Sequence, residues 1–242
     1  MVKTDECHCI GILAGVFGLL ALLANLVIAD ASDPGIHQQT INREEASRVA
    51  NLADLTTPEV FRELKKPDYL TDRALSRQAV LAALGYRRSE AMDMAADYLK
   101  EPLIEVIDGQ WVDRGREFAV ARLVIEAFPG EAAPALVSLY RAGDSITRGN
   151  IVRMAGGIDG GIQIESMLMH ALDDRSAAEE ALPEQSGESM RVCDLAYNQI
   201  VHRHKIRNLL RTIGPNHNIA TRDHHIEILK GHLNTGNHPV TN

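Results

Sequence analysis

The sequence has few cysteines and few aromatic residues, and it lacks an excess of positive charge. Its three cysteines are too few for a disulfide scaffold. Of its 242 residues, 45% are apolar and only 24% are charged, which argues against a disordered chain or a coiled coil. The net charge of −8 argues against nucleic acid as a partner, because attraction to phosphates needs a positive field. A globular chain of one or two domains remains.

Sequence motifs for catalysis are absent as well. No serine stands in a Gly-x-Ser-x-Gly elbow, and there is no His-Glu-x-x-His motif. Two Gly-Gly pairs within 156–161 belong neither to a P-loop nor to a dinucleotide fingerprint, and they are typical of a turn between helices. Cys193 falls inside an apolar helical pattern, which favours a buried structural thiol. We therefore predict no catalytic residues and no cofactor, and we favour a role other than catalysis.

One long apolar run is present, the nineteen uncharged residues from Ile10 to Ile28. Such a run is long enough for a membrane anchor. It also resembles a signal peptide, since Ala29 and Ala31 place small residues before a cut at Ser32. A buried core helix is disfavoured because no polar face interrupts the run. We expect residues 1–31 to be a signal peptide or a membrane anchor. The rest of the chain is then periplasmic or held outside the cytoplasm at the inner membrane.

The remaining chain is predicted to be helical. Residues 32–41 have the turn-forming composition of a linker, 42–236 form the helical domain, and 237–242 form a tail. Thr56 and Glu59 match a capping box at the start of one helix. Apolar residues three or four apart predict further helices. These helices centre on residues 75–85, 92–99, 118–128, 136–140, 151–155, 164–172, 192–200, 206–213 and 226–233.

Only one segment has the pattern of a β-hairpin. In residues 103–112, Asp108-Gly109 lies between two short apolar stretches. Asp-Gly favours the tight turn of a two-residue hairpin loop. We therefore expect a short hairpin among the helices.

The helices occur in pairs, and four of the first helices begin similarly. The segments that start at Ser76, Gly115, Thr147 and Met190 each carry an arginine at their second position, and a second apolar helix follows most of them. These arginines are Arg77, Arg116, Arg148 and Arg191. A repeated helix pair that cannot bury its apolar face alone predicts an α-solenoid. The many alanines fit closely packed helices.

This arrangement resembles HEAT-type repeats over residues 75–173 and 190–202, about half of the chain. The segment 132–140, AAPALVSLY, is similar to the second helix of such a repeat. The uneven spacing and the loop 173–189 depart from the pattern. The resemblance implies a curved α-solenoid of stacked antiparallel helix pairs, with a concave face that binds a partner, commonly a protein. It implies no catalytic residues. We therefore expect a binding or scaffold protein of the cell envelope, associated with the membrane through residues 10–28.

Trp111 and Arg114 are the candidate partner-binding residues. Trp111 is the only tryptophan, and Arg114 lies three residues beyond it. Tryptophan and arginine are enriched at the positions that contribute most to protein–protein binding. A tryptophan packed beneath a loop is the alternative interpretation.

Seven of the ten histidines lie between residue 202 and the end of the chain. Histidine is a common metal ligand, and His224 and His225 follow Asp223 directly. A metal-binding protein or an enzyme that uses these histidines is therefore the alternative function, with His224 and His225 as candidate ligands. Solvated histidines at the edge of the core are the simpler interpretation.

Overall fold

The protein is mostly helical, as predicted, and the part of the chain that the structure describes contains one two-stranded sheet. The chain divides into two compact units, between Asp54 and Leu55. In the first unit, residues 46–53 are helical. The architecture below is that of the second unit. The structure is a computed structural model, and it describes residues 46–158, 160–179, 188–206 and 210–234.

The second unit is a succession of helices that one hairpin interrupts. Its elements are α1 (Thr57–Leu64), α2 (Pro67–Thr71), α3 (Arg73–Leu84), α4 (Arg88–Lys100), β1 (Ile104–Ile107), β2 (Gln110–Asp113), α5 (Gly115–Ala127), α6 (Pro129–Ala142), α7 (Ser145–Ala155), α8 (Gly161–Ala171), α9 (Val192–Arg203) and α10 (Ile219–Asn234). Most of the long helices bury one apolar stripe, whereas α7 and α9 are buried on most sides. In α10, for example, the buried apolar residues are Ile226, Leu229 and Leu233, at the spacing of a single helical face.

Side-chain caps explain where several of these helices begin. The backbone N–H of Thr56 donates to the Glu59 carboxylate at 2.9 Å, which confirms the predicted capping box at α1. The Asp72 carboxylate accepts from two backbone N–H groups in the first turn of α3. Asp144 does the same for Thr147 in α7, at 2.8 Å. These carboxylates pair amides that the helix itself leaves without a partner.

Contacts between the helices follow an alternating order. α3 contacts α5 and α7 contacts α9, while α4 contacts α6 and α6 contacts α8. Each of α4, α6 and α8 also packs against the helix that follows it. Alanines allow these close approaches, and many of them are fully buried. They are Ala79, Ala83, Ala91, Ala95, Ala121, Ala132, Ala155, Ala171 and Ala196.

The four arginines of the sequence repeat do not occupy equivalent positions. Arg77 lies one turn inside α3, which begins at Arg73, whereas Arg116 is the second residue of α5. Arg148 lies in the first turn of α7, and Arg191 precedes α9. Their surroundings differ as well, because Arg77 and Arg116 are exposed while the other two bind aspartates. The arginine pattern therefore does not predict a shared contact.

The hairpin lies where the sequence predicts it. β1 and β2 pair antiparallel, with Val106 opposite Trp111 and Ile107 opposite Gln110. The two turn residues have positive φ, 51° at Asp108 and 75° at Gly109. This backbone is the two-residue turn whose twist matches that of the flanking strands, and Asp-Gly is among the sequences that adopt it readily.

The helix predicted over 206–213 is wrong in its described C-terminal part, since residues 210–214 are not helical. Side chains of α9 bind this segment's backbone instead. The Tyr197 hydroxyl donates to the carbonyl of Arg211 at 2.9 Å. The Asn198 amide pairs with both the N–H and the carbonyl of Ile213, at 2.9 and 2.8 Å. Leu210 and Ile213 are buried all the same, so the apolar spacing reflects burial and not a helix.

Within the described ranges, no helix combines the length and the apolar character needed to cross a bilayer. The run from Ile10 to Ile28 lies outside these ranges, as do the linker 32–41 and the tail 237–242. The prediction of a signal peptide or an anchor therefore concerns residues that the structure does not describe.

Candidate partner-binding site

The β1–β2 hairpin presents several large apolar side chains to solvent. Trp111 is 52% exposed and Val106 43%. Ile104 and Ile107 are exposed to a similar degree. No residue from 101 to 119 is buried, so the whole hairpin stands clear of the core. The interpretation of Trp111 as packed beneath a loop is therefore wrong.

Three of these side chains lie on one face of the hairpin. Neighbouring residues of a strand point to opposite faces, so Ile104 and Val106 share a face. Val106 is directly opposite Trp111, which brings the indole to the same face. Ile104, Val106 and Trp111 therefore form an exposed apolar face, which we call the hairpin face. Apolar rings and branched side chains of this kind are typical contact residues at protein interfaces.

Arg114 contacts the hairpin's own carboxylates. Its Nη2 lies 3.0 Å from Glu105 and 3.6 Å from Glu101, and its side chain is half-buried. Among the described residues, no acceptor is found for its buried Nε–H. Arg114 thus braces the base of the hairpin, and Trp111 is the more accessible of the two candidate contact residues.

The hairpin and its base are acidic. Residues 101–114 contain four carboxylates and one cation, a formal net charge of −3. The carboxylates are Glu101, Glu105, Asp108 and Asp113, and the cation is Arg114. Asp113 also accepts the backbone N–H of Gly115 at 2.7 Å, at the first turn of α5. The hairpin face is therefore an apolar patch within a negative surround.

The histidine pair does not form a complete metal site in the described residues. His224 is exposed, His225 is half-buried, and their ring centroids are 6.3 Å apart. Within residues 46–234, apart from the undescribed gaps, no three His, Cys, Asp or Glu side chains come together as a metal site. The alternative function stays a prediction, and metal analysis of the purified protein tests it.

A buried charge cluster near these histidines was not predicted. Arg222 and Asp194 are both fully buried, and their side chains meet at 3.0 Å. Arg191 donates to both Asp194 and Asp223 at 2.8 Å, and Arg175 also binds Asp223. We call these five residues the arginine–aspartate cluster. It joins the start of α9 to the first half of α10.

Every N–H of the Arg222 guanidinium has an acceptor. Besides Asp194, Arg222 donates to four backbone carbonyls at 2.7–3.2 Å. The carbonyls belong to Glu188, Ser189, Pro215 and His217. A guanidinium has five N–H donors, so this side chain is fully paired and has no donor left for a ligand. Within the cluster, the buried Arg222–Asp194 pair is therefore a structural tie between α9 and α10.

Cys193 is buried beside this cluster and is a poor nucleophile. Burial, and next the negative charge of Asp194, raise the pKa of its thiol to about 11. Arg175 lies 3.6 Å from the sulfur and opposes this rise. A thiol must lose its proton to attack a substrate or bind a metal. The predicted structural role of Cys193 agrees with this environment.

A shallow groove lies between α2, α3 and α5. Tyr69, Leu70, Ala119 and Leu123 supply its apolar lining. At its rim, Arg73 and Arg122 both bind Glu126, at 2.7 and 2.9 Å. Because this carboxylate already pairs both cations, the groove offers no strong anion site.

Comparisons with known proteins found no relative. No protein-family model matches the chain, and neither a curated protein nor a solved structure is significantly similar to it. Function therefore has to be inferred from this chain's own surface and chemistry.

Proposed function

We propose that this chain is a non-catalytic binding protein of the cell envelope, a HEAT-like helical scaffold that holds a protein partner. The hairpin face carries the proposal. The described helices bury most of their apolar residues, although Leu81, Ile162 and Ile228 are exposed as well. Ile104, Val106 and Trp111 differ from these in sharing one exposed face of the hairpin. Exposed apolar patches rimmed by polar groups are typical of interaction sites.

The order of helix contacts supports the scaffold part of the proposal. In a solenoid of helix pairs, first helices stack on first helices and second helices on second helices. The contacts of α3 with α5, of α7 with α9, of α4 with α6 and of α6 with α8 follow this order. In this scheme the hairpin is an insertion between the first two pairs.

The apolar run from Ile10 to Ile28 supports a location in the envelope, with the helical domain outside the cytoplasm. Mass spectrometry of the N-terminus of the protein from its source cells tests this part. A chain that begins at Ser32 indicates cleavage, and an intact run in the membrane fraction indicates an anchor. A full-length chain in the cytoplasmic fraction would contradict the proposed location.

The binding role is tested with two matched variants. Val106→Lys places a charge on the hairpin face, whereas Ile162→Lys makes the same kind of change on α8, at a residue that is 85% exposed. Both positions are exposed, so we expect both variants to fold, with unchanged far-ultraviolet circular dichroism. Tagged full-length protein is cross-linked in envelope preparations, and the captured proteins are compared between the variants.

We expect one reproducible partner that is lost with Val106→Lys and kept with Ile162→Lys. Loss of the partner with both variants would indicate that the binding surface lies on the helical body and not on the hairpin face. Capture that neither substitution changes would overturn the proposed role of the hairpin face.

A further inference from the structure

The hairpin has an open backbone edge as well as an apolar face. The N–H of Arg114 donates to the carbonyl of Leu103 at 2.9 Å, so residues 103 and 114 are a hydrogen-bonded pair. In an antiparallel ladder, bonded and non-bonded pairs alternate. The pairs Ile104–Asp113 and Val106–Trp111 are therefore the non-bonded ones. On β2, the backbone groups of Trp111 and Asp113 point outward, away from β1.

These outward groups are unpaired in the described structure. No hydrogen bond joins the backbone N–H or carbonyl of Trp111 or Asp113 to another described residue. β2 contains no lysine, no proline and no bulge that would block pairing, and its protection is limited to its length of four residues and the charge of Asp113. An exposed edge of this kind readily pairs with a further strand.

We infer that the outer edge of β2 takes up an extended segment of a partner protein as a third strand. This inference rests on the proposed function and specifies the form of the partner at the hairpin face. Backbone hydrogen bonds to Trp111 and Asp113 hold the segment, and its alternate side chains extend the hairpin face beside the indole. β2 is the favoured edge because the largest exposed apolar side chain of the hairpin, Trp111, is on it.

The charge of the hairpin specifies the partner's chemistry. A formal charge of −3 over residues 101–114 favours a segment that combines apolar residues with Lys or Arg. It disfavours a second copy of this chain, whose hairpin carries the same charge. An anionic membrane surface is disfavoured for the same reason. The bound segment is therefore a basic, apolar strand from a different protein.

The only tryptophan of the chain makes this inference directly measurable. Trp111 is the sole indole, so tryptophan emission reports on the hairpin alone. Full-length protein is titrated with short peptides that alternate Val or Ile with Lys. We expect a blue shift of the emission as the third strand covers the indole. Peptides with Glu in place of Lys are expected to bind at least about tenfold more weakly.

Backbone methylation distinguishes strand addition from side-chain contact. A peptide methylated at every second amide keeps one edge free for pairing, whereas one methylated at every amide keeps none. We expect the first to bind like the unmodified peptide and the second to lose about tenfold or more in affinity. Equal binding of all three would overturn strand addition, as would the absence of any shift up to about millimolar peptide.

The remaining outcomes are also decisive. Sedimentation tests for self-association. A dimer that Val106→Lys dissociates would show that the edge of β2 pairs with a second copy of this chain, and would overturn the inference. If the peptides fail but Val106→Lys still releases the native partner, the proposed function stands without strand addition. If Val106→Lys leaves the native partner bound, the proposed function itself fails.

Discussion

At the scale of single residues, substitutions of the buried members of the arginine–aspartate cluster are expected to lower stability strongly. Arg222 is a buried cation, and among the described residues its only carboxylate partner is Asp194, also buried. Removing one member of a buried ion pair leaves the other charge without compensation. Arg175, in contrast, is partly exposed, and solvent screens its pairing with Asp223. These two environments predict very different costs for the same truncation to alanine.

We expect Asp194→Ala to lower the free energy of unfolding by about 3–5 kcal/mol, because Arg222 and Arg191 lose their buried carboxylate. The control Arg175→Ala removes a partly exposed guanidinium and is expected to cost about 1 kcal/mol or less. Urea unfolding followed by circular dichroism measures both. Equal effects of the two substitutions would show that the buried Arg222–Asp194 pair is not the structural tie described above.

The same carboxylate predicts an acid-sensitive stability. Burial raises the pKa of Asp194, but hydrogen bonds from Arg191 and then Arg222 outweigh burial and lower the pKa below its ordinary value of 3.8. A lowered folded-state pKa contributes stability above the ordinary value, and this stability is lost as the pH falls through the folded-state pKa. We therefore expect the free energy of unfolding to decrease progressively below about pH 5.

Asp194→Asn isolates the contribution of this residue, because the amide does not titrate. The variant is less stable at neutral pH, and its stability is expected to fall less steeply on acidification. Urea unfolding at a series of pH values compares the two proteins. Parallel pH dependences would assign the acid sensitivity to other carboxylates.

The sequence does indicate that Arg222 is buried, although a search for apolar residues alone does not find it. Arg222 precedes Ile226, Leu229 and Leu233 by intervals of four, seven and eleven residues, so it lies on the buried stripe of α10. A cation on such a stripe predicts a buried carboxylate partner. Its partner cannot be predicted in this way, because Asp194 is 28 residues away on another helix. Only the tertiary structure brings the two together.

At the scale of elements, two helical glycines predict opposite effects of the same substitution. Gly149 is in α7, where an added Cβ lies 2.6 Å from the Cβ of Ala178 and 3.0 Å from its carbonyl oxygen. Gly231 is in α10, where an added Cβ meets nothing within 4 Å. One glycine therefore permits a close approach, whereas the other only lowers helix propensity.

We expect Gly149→Ala to destabilise the protein by about 1–3 kcal/mol, through the overpacking of α7 against Ala178. Gly231→Ala is expected to stabilise it by roughly 0.5–1 kcal/mol, because alanine has the higher helix propensity. Thermal or urea unfolding gives both values. A neutral Gly149→Ala would show that the segment around Ala178 moves aside without cost.

Local sequence signals predicted elements well where the stabilising groups are themselves local. Thr56 and Glu59 indicate the start of α1, and Asp108-Gly109 indicates the hairpin turn. Local signals predict the segment 210–214 wrongly, because the side chains that bind its backbone, Tyr197 and Asn198, belong to α9. Apolar spacing predicts that Leu210 and Ile213 are buried but does not decide the backbone conformation that buries them.

At the scale of the whole molecule, the charge balance predicts which partners the chain avoids. The formal net charge is −8, and the candidate hairpin is acidic as well. We expect no binding to single- or double-stranded DNA or RNA at about 50 mM salt, where electrostatic attraction to phosphates is strong. Fluorescence anisotropy with labelled oligonucleotides measures this. A complex that weakens with added salt would contradict the prediction.

The overall architecture is less accessible from the sequence than its parts are. Helix content follows from apolar periodicity, whereas the contact between α4 and α7 joins helices that no repeat pattern relates. The Asn150 side chain helps make this contact, as it donates to the carbonyls of Leu99 and Glu101 at 3.0 and 2.8 Å. Nothing in the local sequence around Asn150 distinguishes it from a solvated asparagine.

The residues of the helical body and those of the hairpin are under different constraints: the first must pack, whereas the second remain exposed. Since no residue from 101 to 119 is buried, and α4 packs directly against α5, the helical body does not depend on the side chains at the hairpin tip. Under the proposed function, substitutions at the exposed positions of β1 and β2 would alter recognition at little cost in folding. A change of partner would then require changes at only these few positions, and the hairpin would be the natural place to graft a new specificity.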